Sequence, residues 1–131
     1  MRLTIALFII LFRSAAAGTP CDDINSSLGT ETKMMLAPVI AKQLQTTTVD
    51  VLSSFKSGAW TILYVNPHDA DEAFLFYSGD PLTSRYVTLW AGAAIRNEES
   101  SIRKWVRANA PGAPSPLTRC FAWYVTNGRA H

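Results

Sequence analysis

The sequence predicts an α+β domain: an antiparallel sheet of about five strands, a meander plus a C-terminal strand, packed by two helices and closed by one disulfide. Three observations carry that expectation. Apolar residues recur at helical spacing in two segments, one opening at Glu31 and one at Asn97. Between them, β-branched and aromatic runs alternate with short Gly, Pro, Asn and Asp interruptions, none of which reaches the length of about a dozen residues that a parallel crossover requires. Only 2 cysteines are present, Cys21 and Cys120.

The elements follow in chain order. From Gly18 to Thr30 the chain is rich in Ser, Thr, Gly and Asp, which describes an extended or loosely turned leader tethered by Cys21. From Glu31 to Thr46, the residues Met35, Leu36, Val39, Ile40 and Leu44 fall on one helical stripe. Pro38 interrupts that stripe, because an internal proline removes a hydrogen bond and clashes with the preceding turn; either the helix kinks there or its regular part starts near Ala37. Four strands are expected at Val49–Phe55, Ala59–Val65, Glu72–Ser78 and Ser84–Ala91, joined by turns rich in Gly, Asn, Asp and Pro. Asn97-Glu98-Glu99 is a good helix opening, with a capping side chain and two acids at the positive end of the dipole, and the buried stripe is Ile102, Trp105, Val106 and Asn109. Ala110-Pro111-Gly112 ends it, Pro114-Ser115-Pro116 carries the chain across the surface, and Phe121–Thr126 reads as the final strand.

The N-terminus reads as an export signal. Arg2 precedes an apolar run from Leu3 to Phe12, and Ala15-Ala16-Ala17 supplies the small residues of a cleavage site. The run is roughly half of what a membrane-spanning helix needs. Residues 1–17 are therefore assigned to the signal and 18–131 to a single secreted or periplasmic domain. Pro20 before Cys21 does not fit lipoprotein processing. Removing Arg2 and Arg13 brings the 12 Lys and Arg level with the 10 Asp and Glu, so the mature chain offers no electrostatic reason to bind nucleic acid or an anionic membrane. The cluster Arg103, Lys104 and Arg107 fits the solvated side of a helix. In an oxidising compartment, pairing of Cys21 with Cys120 is the default, and the chain-entropy model gives such a long loop about 4–5 kcal/mol. A catalytic cysteine beside a histidine would leave its partner thiol unpaired.

Chemistry is sparse. No G-x-S-x-G, EF-hand loop or Gly-rich phosphate loop occurs, and no cofactor is implied. His68, in the loop Asn66–Glu72 with Asp69, Asp71 and Glu72, could ligate a divalent metal or act as a base, although neighbours on a tight hairpin point apart and a charged connection serves solubility alone. The strands carry the stronger signal. Their aromatics fall on both faces, so one face packs the helices and the other is curled over, hollowed into a pocket or met by a partner. The candidate binding residues are Trp60, Tyr64, Tyr86, Trp90, Trp123 and Tyr124. The expectation is an exported, non-enzymatic binding module, an inhibitor or accessory protein, using that face toward a protein. The alternatives are a small-molecule pocket between the curved sheet and the helices, and a hydrolase or metal site around His68.

Overall fold

The computed structural model describes residues 18–129, together with Ile9 and Ile10. The segment read as an export signal otherwise lies outside the described residues. Among the described residues, no helix is long and apolar enough to cross a membrane.

Helix α1, Thr30–Leu44, leads into a four-stranded meander: β1 Asp50–Ser57, β2 Trp60–Asn66, β3 Ala73–Tyr77 and β4 Thr88–Ala91. A 3-10 turn at Arg96–Glu98 then enters α2, Glu99–Asn109, and α3, Ser115–Trp123, which ends in a widened π turn at Tyr124–Gly128. All strand pairs are antiparallel, in the order β1-β2-β3-β4. The α+β class and the disulfide are as expected, but the sheet has four strands and three helices pack on it.

The difference lies at the C-terminus, where the segment expected as a fifth strand is helical. Phe121, Trp123, Val125 and Thr126 are residues that favour strands, which is why composition points that way. Their burial follows another period: Leu117, Cys120, Phe121 and Val125 turn inward at helical spacing. Pro114 and Pro116 do not cross the surface as a linker. They flank the first residue of α3, where a missing N–H costs nothing and a fixed φ is already helical.

Pro38 lies within α1 and is tolerated there without ending the helix. Both Pro38 and Met34, whose carbonyl loses its intrahelical donor, are exposed, on the side of the helix where solvent can supply the missing donor. The buried stripe is narrower than expected: Leu36, Ile40 and Ala41 are covered, whereas Met35 is half exposed. The helix closes at Gln45, in the left-handed region with φ 55°, and the Thr46 N–H reaches the Ala41 carbonyl at 3.0 Å. Asn97 falls inside the 3-10 turn and caps nothing; instead the Glu98 side chain accepts from the Ile95 N–H at 3.2 Å. Asn109 is exposed and not part of the α2 stripe, while Trp105 lies half-buried with its ring edge toward Phe76.

The meander explains why both strand faces are apolar. Val51, Leu63, Val65, Leu75 and Tyr77 pack under α1, while Phe55, Ile62, Tyr64, Phe74 and Phe76 pack under α2 and α3. Every residue of β3 is buried. The sheet is thus the middle layer of three, and the leader is tied to it: Ile24 enters the core, Asn25 pairs with Lys56 by two backbone bonds, and Cys21 bonds Cys120 on α3 rather than on a strand.

Tyr77 is fully buried and donates to Gln43 Oε1 at 2.7 Å, while Gln43 Nε2 donates to the Ser84 carbonyl at 3.0 Å. Burial pushes the Tyr77 phenol up to about 12, helped by the neighbouring Tyr86. The folded chain therefore holds this proton more tightly than the unfolded one, whose tyrosines ionise near 10.0. That contribution is whole below pH 10.0 and is lost as the pH rises toward about 12. Urea midpoints should fall across this window, and Tyr77→Phe should remove part of the fall. Replacing both Cys21 and Cys120 by Ala should lower unfolding free energy by about 3–5 kcal/mol, measured by urea denaturation of the wild type and the variant.

Candidate functional site

Strand register builds the site. Tyr64 on β2 is the direct partner of Phe74 on β3, and Phe74 is the direct partner of Trp90 on β4. Side chains directly opposite on one face stand about 4.5–5.5 Å apart at Cβ, so this register lays three rings side by side across the sheet. Tyr64 and Phe74 stack at 4.2 Å between centroids and 9° between planes, and Phe74 and Trp90 lie tilted at 5.9 Å.

The C-terminal helix supplies the opposing wall. Phe121 meets Phe74 and Trp90 edge-on at 5.1 and 5.7 Å. Tyr124, at the start of the π turn, lies edge-on to Phe74 at 6.0 Å and to Tyr64 at 6.3 Å. Edge-to-face contacts of this kind add to the area buried because a positive ring edge meets a negative ring face. Phe74 and Phe121 form the sealed floor, Tyr64 is almost covered, and Trp90 and Tyr124 are half-buried at the rim.

Two charged side chains complete the end of the sheet. The Tyr64 hydroxyl donates to the carboxylate of Glu72, an exposed residue just ahead of β3. From the other side the Arg129 guanidinium stands over the row, with Cζ 5.9 Å from the Tyr64 ring, 5.7 Å from Phe74 and 5.8 Å from Trp90. Its Nη2 donates to the Gly92 carbonyl, and its backbone N–H bonds the Tyr124 carbonyl at 2.8 Å. Burial raises the Tyr64 phenol above its ordinary value and the Glu72 carboxylate raises it further, while Arg129 pulls it back. A cleft of about 370 Å³ opens beside this cluster, lined by Asp71, Glu72, Gly92, Ala93 and Arg129.

Of the six aromatics picked from the sequence, the fold brings together Tyr64, Trp90 and Tyr124. Trp60 is half-buried on the same face, at the β1–β2 turn, with its ring beside Gly112. Trp123 lies half-buried against Gly128. Tyr86 is on the opposite face, edge-on to Tyr77 at 6.4 Å. Helices cover most of both faces among the described residues, but β4 stays partly open: its residues are half-buried or exposed, and a cleft lined by Leu44, Ala73, Leu89 and Ala91 reaches the α1 side of the sheet. Glu72 and Arg129 joined the site from places that periodicity does not mark: one in a charged loop, the other near the chain end.

The His68 loop is arranged differently. His68, with φ 64°, is exposed and its Nε2 lies 2.8 Å from the Asp50 carboxylate, while Asp69 accepts from the Thr46 hydroxyl at 2.8 Å. Glu72 turns away to Tyr64. Among the described residues, no group of three or more His, Cys, Asp or Glu side chains converges in metal-binding fashion.

Comparison of the chain with protein-family models, with curated proteins and with solved structures found no match.

The two charges act on Tyr64 with opposite sign, which gives a direct check on the cluster. Glu72→Gln should lower the Tyr64 phenol pKa and Arg129→Ala should raise it, followed by carbon NMR of ring-labelled tyrosine, with Tyr64→Phe assigning the resonance.

Proposed function

We propose that this chain is an exported, non-enzymatic binding module, an inhibitor or accessory protein of the secreted or periplasmic space, and that it engages a protein partner through the aromatic end of its sheet. The observation that carries this reading is the convergence of Tyr64, Trp90 and Tyr124 around Phe74, with an acidic and a basic side chain at the same mouth. Tyrosine and tryptophan combine a large apolar surface with a polar tip, and interface cores favour such rings ringed by polar groups. Rings projecting from adjacent strands are held by sheet register, so little side-chain freedom remains to be lost on binding. The disulfide agrees with an oxidising compartment.

A second reading has its own observation. The cleft beside Arg129 brings Asp71 and Glu72 opposite a guanidinium, and its size of about 370 Å³ suits a small polar molecule.

Both readings meet the same experiment. The oxidised protein is immobilised and exposed to the native extracytoplasmic fraction, and bound proteins and small molecules are identified. A double variant, Trp90→Ala with Tyr124→Ala, should lose at least about tenfold of the specific capture, as truncating two anchor residues at an interface does. A surface control, Lys104→Ala, should retain it. Undiminished capture by a double variant of unchanged circular dichroism would reject the aromatic end as the binding element.

A further inference from the structure

We propose that the aromatic end of the sheet is a recognition site for a guanidinium group, an arginine side chain of a partner protein, and that the chain's own Arg129 occupies it as a tethered stand-in. This rests on the reading above that the aromatic end is the binding element, and it names the chemistry of the ligand.

The rings and the arginine are held very differently. Tyr64, Phe74 and Trp90 project from three paired strands, and their spacing is set by β2–β3–β4 register whether or not a cation lies above them. Phe121 and Tyr124 back them from the body of α3 and the first residue of the turn after it. Arg129 follows the last residue of that turn and is held by one side-chain bond to the Gly92 carbonyl, one backbone bond to Tyr124 and its approach to the three rings. The site is therefore built by the sheet and filled by the tail. Withdrawal of the tail removes the occupant and leaves the platform.

The platform selects guanidinium by shape and charge. One Cζ lies 5.7 to 5.9 Å from three ring centroids, and because Tyr64 and Phe74 are stacked at 4.2 Å and 9° it can meet the face of no more than one of that pair, with Trp90 as the separate third ring. A cation is attracted by a ring face within about 6 Å of its centroid. A guanidinium is flat and weakly hydrated, so it stacks on rings at small desolvation cost while its edge still donates, as Arg129 does to Gly92. An ammonium is strongly hydrated and has no flat face to offer. Asp71 and Glu72 line the adjoining cleft and add a negative field at the mouth. The Glu72 carboxylate accepts from Tyr64, and among the described residues it forms no ion pair with Arg129. It remains placed to meet further positive charge or backbone N–H groups carried by an incoming chain.

The test is calorimetry with three probes on the oxidised protein: Nα-acetyl-arginine amide, Nα-acetyl-lysine amide and a short peptide with one central arginine. The protein is used as the full chain, as a chain ending at Gly128 and as the full chain with Arg129→Ala. A tethered plug at an effective concentration of roughly millimolar order weakens binding by a factor of one plus that concentration over the Kd of the empty site, so both emptied forms should bind the arginine probes more tightly than the full chain, by about twofold if that Kd is about 1 mM and about tenfold if it is about 0.1 mM. The lysine amide should bind more weakly than the arginine amide. Adding Trp90→Ala to either emptied form should cost about tenfold. If the shortened chain fails to fold, the Arg129→Ala chain carries the comparison alone.

Failure of folded, emptied protein to bind either arginine probe, or equal binding by full and emptied chains, would overturn the proposal. Tighter binding of the peptide than of the amide supports a protein source for the guanidinium; equal or weaker binding by the peptide rejects it. The underlying reading fails separately. Trp90-dependent capture without arginine binding would sink the guanidinium site alone, whereas arginine binding with capture indifferent to Trp90 and Tyr124 would sink the partner surface alone.

Discussion

Everything in this fold follows from the need to bury a short sheet on both sides. The sequence of β3, Ala73-Phe74-Leu75-Phe76-Tyr77, places large apolar side chains alternately up and down, and none of them is exposed. Each buried side chain of this size contributes about 1.5–3 kcal/mol when it leaves water, so neither face can be left wet in a domain whose net stability is only about 5–15 kcal/mol. One helix ahead of the meander covers one face; two helices after it cover the other. The residues that look like a fifth strand are needed as a lid. Extending the sheet with them would add another two-faced strand and leave the α3 side of Phe74 and Phe76 uncovered.

Local chemistry made much of this legible. The hairpin is readable from Gly58, but its bounds are not: the sequence reads a turn at Lys56-Ser57-Gly58, while pairing runs on to Ser57 and Trp60 and leaves a two-residue loop, Gly58-Ala59, with Gly58 at φ 58°. The meander is readable because its connections are too short for crossovers. The disulfide is readable from arithmetic, two cysteines in a chain expected to be exported. The failures have a common cause. Composition in Phe121–Thr126 favours a strand by propensity, while the fold obeys the spacing of Leu117, Cys120, Phe121 and Val125. Propensity is a weak prior where a tertiary surface needs covering. Likewise the prolines around Ser115 look like a linker until a helix is known to begin there.

The site was legible in part. Aromatic enrichment singles out Tyr64, Trp90 and Tyr124, but with them come Trp60, Tyr86 and Trp123, which the fold sends elsewhere. Register places the strand members, since Tyr64 opposes Phe74 and Phe74 opposes Trp90, while Tyr124 joins them from the turn that follows α3. A slip of one position would carry a strand's rings to the other face. No single-strand pattern contains that information. Arg129 is further out of reach, since a lone arginine after Asn127-Gly128 looks like a solvated chain end until the π turn carries it back over the rings.

The bond between Cys21 and Cys120 encloses the whole meander, α1, α2 and the first part of α3 in one covalent ring. A mechanical load applied between the two ends of the chain would pass through the sulfur bridge and bypass that ring. Tension could extend only the stretches before Cys21 and after Cys120, so stretching would strip the rings' helical lid and the arginine above them while the sheet stayed shielded from the load.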